Sequence, residues 1–187
     1  MTVDPADLAR RIADELEKDG VLYAIGGALA YAYWGAPRGT LDVDLDIFGP
    51  PDVLDRALIS LRRAGVRVEE ADARASVAER GDFRGISGDI RVDVFVAFNP
   101  FHESVCARRA RVTLFERPIW VLSAEDLTIF KILFDRPKDW VDIERMIALQ
   151  SERFDFLYLR QWLSLWLEPG DDRYVRLEKI RRQFGGR

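Results

Sequence analysis

Apolar residues recur along the chain in two rhythms, every three or four residues and every second residue, and the two interleave as in mixed α and β structure. Leu8, Ile12 and Leu16 stand four apart behind Asp4-Pro5-Ala6-Asp7. That start, an Asp cap with proline in the first turn, predicts a helix closing near Gly20. The apolar run 21–25 predicts a short buried strand. Gly26-Gly27 follows at once, then an Ala- and aromatic-rich segment, 28–34, predicted as a helix and stopped by Gly35-Ala36-Pro37. Residues 40–48 alternate strictly, Leu41, Val43, Leu45 and Ile47 against Asp42, Asp44 and Asp46, which predicts a strand. Val53, Leu54, Ala57, Leu58 and Leu61 predict a second amphipathic helix closing near Gly65, and 66–68 a short strand. Residues 71–88 are small, charged and Gly-rich and read as mostly loop. A strand over 89–98, a short helix to about Arg109 and a hairpin built from 111–114 and 119–122 complete this region.

From Ser123 onward the period is helical. Ser123 with Asp126 makes a capping-box-like start, and helices are predicted over about 124–134, 137–149, 155–167 and 171–183, with Pro137 and Pro169-Gly170 as breaks. The expected fold class is α/β (α+β): a small mixed sheet flanked by helices, with a helical C-terminal tail. The expected division is an α/β core over 1–122 and a helical region over 123–187 packed on it as one continuous domain. A length of 187 residues suits that size.

Composition narrows the chemistry. The chain has 28 basic and 32 acidic side chains, a net charge of −4, which argues against a protein that simply coats nucleic acid or anionic membrane. Cys106 and His102 are the single Cys and His, so an intrachain disulfide is excluded and a His-based zinc site is not expected. No apolar run reaches transmembrane length and residues 1–19 are too charged for a signal peptide, so a cytoplasmic protein with no membrane partner is expected. The first hundred residues carry 12 basic and 18 acidic side chains, against 16 and 14 in the rest. This unevenness fits a cation site in the first part and anion contacts in the second, or two ordinary solvated surfaces.

The Asp row is the strongest chemical signal. Asp42, Asp44 and Asp46 fall on one face of a strand, roughly 7 Å apart per step. Strands disfavour Asp and like charges repel, a penalty that a hard cation such as Mg²⁺ removes. Asp93 interrupts a second apolar strand; its alternative is a salt bridge to Arg91 or Arg84. If the two strands pair, Asp93 faces Asp42 and Asp44, and three carboxylates suffice to hold two cations about 4 Å apart, with one carboxylate placed as general base. Gly26-Gly27 lets backbone approach a phosphate at a helix N-terminus, Arg38 offers a bidentate contact and Thr40 a hydroxyl. Lys131 lies in an apolar helix, either snorkelling to water or set on a phosphate. Of Arg136, Lys138, Asp139 and Asp142, at least two are expected to pair with one another, with Lys138 and Asp139 as secondary site candidates beside Asp46. His102 and Cys106 read as bystanders, Trp162 and Trp166 as core or a dimer face, and the basic run Arg173 to Arg182 as a solvated helix or an RNA contact.

Two stretches carry a family resemblance. Tyr23-Ala-Ile-Gly-Gly-Ala-Leu-Ala followed by Arg38-Gly-Thr-Leu-Asp-Val-Asp-Leu resembles the signature of the polymerase-beta nucleotidyltransferase superfamily, with Asp93 matching its third Asp. Residues 121–131 and 136–143 are similar to the C-terminal motif of the minimal nucleotidyltransferases related to AbiEii-type toxins of toxin–antitoxin systems. The resemblance implies an NTP substrate, two Mg²⁺ ions and transfer of NMP to a hydroxyl. For the toxin branch it implies an RNA acceptor such as a tRNA 3′ end, with an antitoxin protein as partner. It implies Asp42 and Asp44 as metal ligands, Asp93 as ligand or base, Gly26 and Gly27 beside the triphosphate and Lys131 on it. Ala28 stands where the family carries Ser, which keeps open a non-catalytic nucleotide- or partner-binding module. A small-molecule acceptor is a variant of the enzymatic reading.

Overall fold

The computed structural model describes residues 4–96, 99–114 and 116–184. The chain forms two compact units, Met1–Ala30 with Arg38–Leu122 and Tyr31–Pro37 with Ser123–Arg187.

In the first unit the four-residue rhythm becomes α1 (Pro5–Lys18). Asp4 caps it by accepting a hydrogen bond from the Ala6 amide at 2.9 Å, and Leu8, Ile12 and Leu16 form a fully buried face. That face packs on α3 (Val53–Arg63) and on the sheet. The strands are β1 (Leu22–Ile25), β2 (Asp42–Phe48), β3 (Asp82–Ser87), β4 (Ile90–Phe95), β5 (Ala110–Leu114) and β6 (Arg117–Val121). They form one mixed sheet in the order β3-β4-β2-β1-β6-β5. β2 runs parallel to β4 and antiparallel to β1; β1 runs parallel to β6; the outer pairs β3–β4 and β5–β6 are antiparallel. Val43, Leu45, Ile47, Val92 and Val94 are fully buried on one face of β2 and β4. Each such side chain contributes about 1.5–3 kcal/mol relative to exposure. The opposite face is left to the carboxylates, and α5 (Pro100–Arg108) also packs on β1 and β2.

The segment expected to be mostly loop is ordered instead. It forms α4 (Glu70–Arg80), closed by Gly81 at φ 77°, and then β3. Only Ala73 is buried in α4, so the helix has no apolar stripe to announce it. In β3 the inward positions are Phe83, Gly85 and Ser87, so a real alternation is written with a single apolar residue. Gly85 is required by a close approach: a Cβ there would meet Val66 Cγ1 at 2.5 Å. The short strand expected over 66–68 reduces to one bridge, Arg67 paired with Ile86. β4 ends at Phe95; the last two positions of the strand expected over 89–98, Ala97 and Phe98, lie outside the described residues.

α2 (Gly27–Trp34) starts in the first unit and ends in the second. The second unit continues with α6 (Ala124–Phe134), α7 (Pro137–Gln150), α8 (Phe156–Leu163) and α9 (Asp172–Phe184). Ser123 caps α6, its hydroxyl accepting from the Asp126 amide at 3.0 Å. α8 stops about a turn earlier than its expected end near 167. The Leu165 and Trp166 amides reach back only three residues, tightening the last turn before Pro169. Among the described residues no helix is long and apolar enough to cross a membrane.

Candidate active site

The Gly-Gly turn and the Asp row are built as one piece. Gly26 ends β1 buried, and its amide donates to the Asp44 carbonyl at 2.9 Å. Gly27 has φ 53°, and a Cβ there would stand 1.7 Å from Asp44 Oδ2. The Asp44 carboxylate therefore lies in the recess that a missing side chain leaves at the start of α2, and glycine is needed for both the backbone angle and the space.

The parallel pairing of β2 with β4 sets Asp44 directly opposite Asp93 and Asp42 opposite Arg91. Across the next strand, Arg84 is opposite Asp93. Arg91 bridges the two strands: its Nη2 donates to Asp42 Oδ2 at 2.8 Å and its Nε to Asp93 Oδ2 at 2.9 Å. Arg84 Nε donates to the other Asp93 oxygen at 2.8 Å, and this bond raises the Arg84 pKa above its ordinary value. Asp46 shares the face but is 2% exposed, so the row runs from a half-wet end at Asp42 to a buried one.

Sequence reasoning named Arg84 and Arg91 only as alternative partners of Asp93. Arg91 was legible as a same-face neighbour two residues away; Arg84 lay in the segment read as loop. Among the described residues no three Asp, Glu, His or Cys side chains are gathered closely enough to hold one metal ion. The guanidiniums of Arg84 and Arg91 engage Asp42 and Asp93 instead. The donor set itself, carboxylates alone on neighbouring strands with Asp44 seated in the Gly27 recess, is the hard-oxygen kind that suits Mg²⁺.

The Thr40 hydroxyl is spent locally, accepting from the Asp42 amide at 3.1 Å, so it sets the start of β2. Arg38 is exposed in the connection that precedes it. Lys131, Lys138 and Asp139 belong to the second unit. Lys131 is neither snorkelling nor wet: it is 3% exposed, and its Nζ donates to Asp142 at 2.7 Å and to Asp139 at 3.2 Å, with the Tyr31 ring centroid 5.6 Å away. Burial pushes the Asp139 carboxyl up, but hydrogen bonds from Arg136 and Lys131 and their charges outweigh it and hold the pKa below its ordinary value. Lys138 is exposed beside this cluster in sequence.

No family model matches the chain, and no curated protein matches it in sequence. Solved structures match it in three dimensions. The solution structure of the antibiotic-resistance factor ANT(2'')-Ia shares 16% identity at a TM-score of 0.63, over 95% of this chain and 97% of that one. The crystal structure of ANT(2'')-Ia with adenylyl-2''-tobramycin gives 15% and 0.57, over 96% and 98%. The lincomycin-bound lincosamide antibiotic adenylyltransferase LnuA gives 14% and 0.54, over 76% and 96%. The fold is that of the nucleotidyltransferases. The α/β class expected from the sequence, and the likeness to nucleotidyltransferases, are both borne out at the level of fold. Within this nucleotidyltransferase fold β2 and β4 carry the carboxylates, and the Gly-Gly turn makes room for Asp44.

Proposed function

We propose that the protein transfers an NMP group from an NTP to a hydroxyl, with Mg²⁺ held by Asp42, Asp44 and Asp93. The observation that carries this reading is the register of two Asp-bearing parallel strands against the glycine recess, Asp44 opposite Asp93 with its carboxylate against Gly27. Bound there, Mg²⁺ would offset the negative charge of the triphosphate. The acceptor oxygen bonds to the α-phosphorus as the bond to the pyrophosphate oxygen breaks, and Asp93 takes the hydroxyl proton. The Gly26-Gly27 turn brings the N-terminus of α2 to the phosphates, with Arg38 as a further phosphate contact. In this reading Lys131 supports the second unit through Asp139 and Asp142, since a phosphate contact requires it to leave both.

The acceptor we favour is a small hydroxylated compound. ANT(2'')-Ia, which matches nearly end to end, and LnuA, which matches three quarters of this chain, are described with antibiotics, and a net charge of −4 disfavours a polyanion. A second reading, transfer to RNA such as a tRNA 3′ end, is supported by the basic α9, which carries Arg173, Arg176, Lys179, Arg181 and Arg182. A toxin role with a neutralising antitoxin belongs with that second reading. The full chain is incubated with each α-labelled NTP, Mg²⁺ and either total tRNA or a panel of hydroxylated antibiotics. Label is expected in the antibiotic fraction with one NTP preferred, and lost in Asp44→Asn. Label in tRNA selects the second reading, and label transfer that survives both Asp42→Asn and Asp44→Asn refutes the carboxylate mechanism.

A further inference from the structure

The carboxylates of the site come with cations of their own, and the way these are attached has a consequence for metal binding. Arg91 does not simply lie near Asp42 and Asp93: one guanidinium donates to both, across two strands, through two different nitrogens. The two donors sit on separate nitrogens of one planar fork, a spacing that a single ammonium nitrogen lacks. Arg84 engages the remaining oxygen of Asp93, so both oxygens of that carboxylate are held by arginine. The three strands are in register for this, with Asp44, Asp93 and Arg84 in one line across β2, β4 and β3. Both arginines stand toward water, their side chains 61% and 45% exposed, so neither is locked in by packing. Ion pairs of that exposure are weak and exchangeable.

We propose that Arg91, with Arg84 in support, is a resident counter-cation that competes with a divalent metal ion for Asp42 and Asp93 and so sets the metal affinity of the site. The proposal rests on the metal-binding reading given above. A divalent ion and a guanidinium compete for the lone pairs of the same carboxylate oxygens, and their like charges repel. Metal entry is therefore opposed until Arg91 loosens its hold on Asp42 and Asp93. Arg91 acts through the carboxylates, as a positioning residue that also weakens metal binding.

The test is Mn²⁺ binding to the full-length protein without nucleotide, followed by the loss of the free-ion electron paramagnetic resonance signal. Arg91→Ala is expected to tighten Mn²⁺ binding about three- to tenfold, the effect of removing two exposed ion pairs. Arg84→Ala, which frees Asp93 alone, tightens it less. Arg91→Lys keeps the charge but loses the bridge and falls between wild type and Arg91→Ala. Both arginine positions are exposed, and circular dichroism confirms the fold. Arg91→Ala binding no tighter than wild type overturns the proposal. Asp44→Asn separates the two levels of argument. Mn²⁺ binding lost in Asp44→Asn yet unchanged in Arg91→Ala refutes the competition alone, whereas binding retained in Asp44→Asn refutes the metal site and the competition with it.

Discussion

Two of the clusters in which Asp side chains meet basic side chains, the Asp row on the sheet and the Lys131 cluster in the helical unit, are separated by burial. On the sheet, Arg84, Arg91, Asp42 and Asp93 are 61%, 45%, 35% and 20% exposed. In the helical unit, Lys131, Asp139 and Asp142 are 4%, 0% and 5% exposed. The pairing distances are similar, 2.8–2.9 Å against 2.7–3.2 Å, so geometry does not tell the clusters apart. Surroundings do. An ion pair open to water gains little and exchanges partners readily, whereas a buried one is costly to break because the survivor is left charged in a poor solvent. The sheet cluster is suited to give up its arginines; the helical cluster is suited to hold α6 to α7.

The largest expected effect comes from Lys131→Met, which leaves Asp142 charged and buried without its ammonium. Urea denaturation should show a loss of about 3–5 kcal/mol. Replacing the whole trio by apolar residues should recover most of that. A loss under about 1 kcal/mol would erase the contrast between the clusters.

Gly27→Ala comes next. The added Cβ collides with the Asp44 carboxylate at a positive φ. A cost of about 1–2 kcal/mol is expected from the backbone alone, together with loss of Mn²⁺ binding as Asp44 is pushed away. Stability falling while Mn²⁺ binding stays intact would detach the glycine turn from the site.

Acid should weaken the helical cluster through Asp139. Asp139 titrates below its ordinary 3.8 when folded, so the unfolded chain takes up the proton before the folded one does. Its contribution to stability is complete above about pH 4 and is lost as pH falls through the lowered folded value. Chemical denaturation at several pH values between 5 and 2 should show this loss, and a shallower slope in Asp139→Asn. An unchanged slope would remove Asp139 from the acid response.

The smallest effect belongs to Arg84→Ala, which should change stability by less than about 1 kcal/mol, with the difference fading in high salt. A larger, salt-independent loss in thermal melts would mean the sheet cluster is structural after all.

Much of the fold was legible because it is local. The cap and four-residue period of α1, the strict alternation of β2 and the Ser123 cap of α6 each announce themselves within a few residues. The segment 71–88 did not, because α4 buries one residue and β3 fills two of its three inward positions with glycine and serine. Of the candidate site, the glycine turn and the Asp row were readable as a motif, and so was the same-face spacing of Arg91 and Asp93. The line from Arg84 to Asp44 was not, since it depends on β3 existing and on the register of three strands. Lys131 was ambiguous because its apolar neighbours say only that the helix is buried, while its partners come from α7, eight and eleven residues further on.

By itself, then, the sequence determined most of the elements, the carboxylate-bearing side of β2, and, with one His and one Cys in the chain, that no His- or Cys-rich ligand set is available. Only the tertiary structure decided which charges meet. Asp42 and Arg91 stand 49 residues apart, and their contact follows from strand register. Whether such a contact is a loose clamp or a buried anchor depends on the solvent around it, a property of the packed molecule that no stretch of sequence carries.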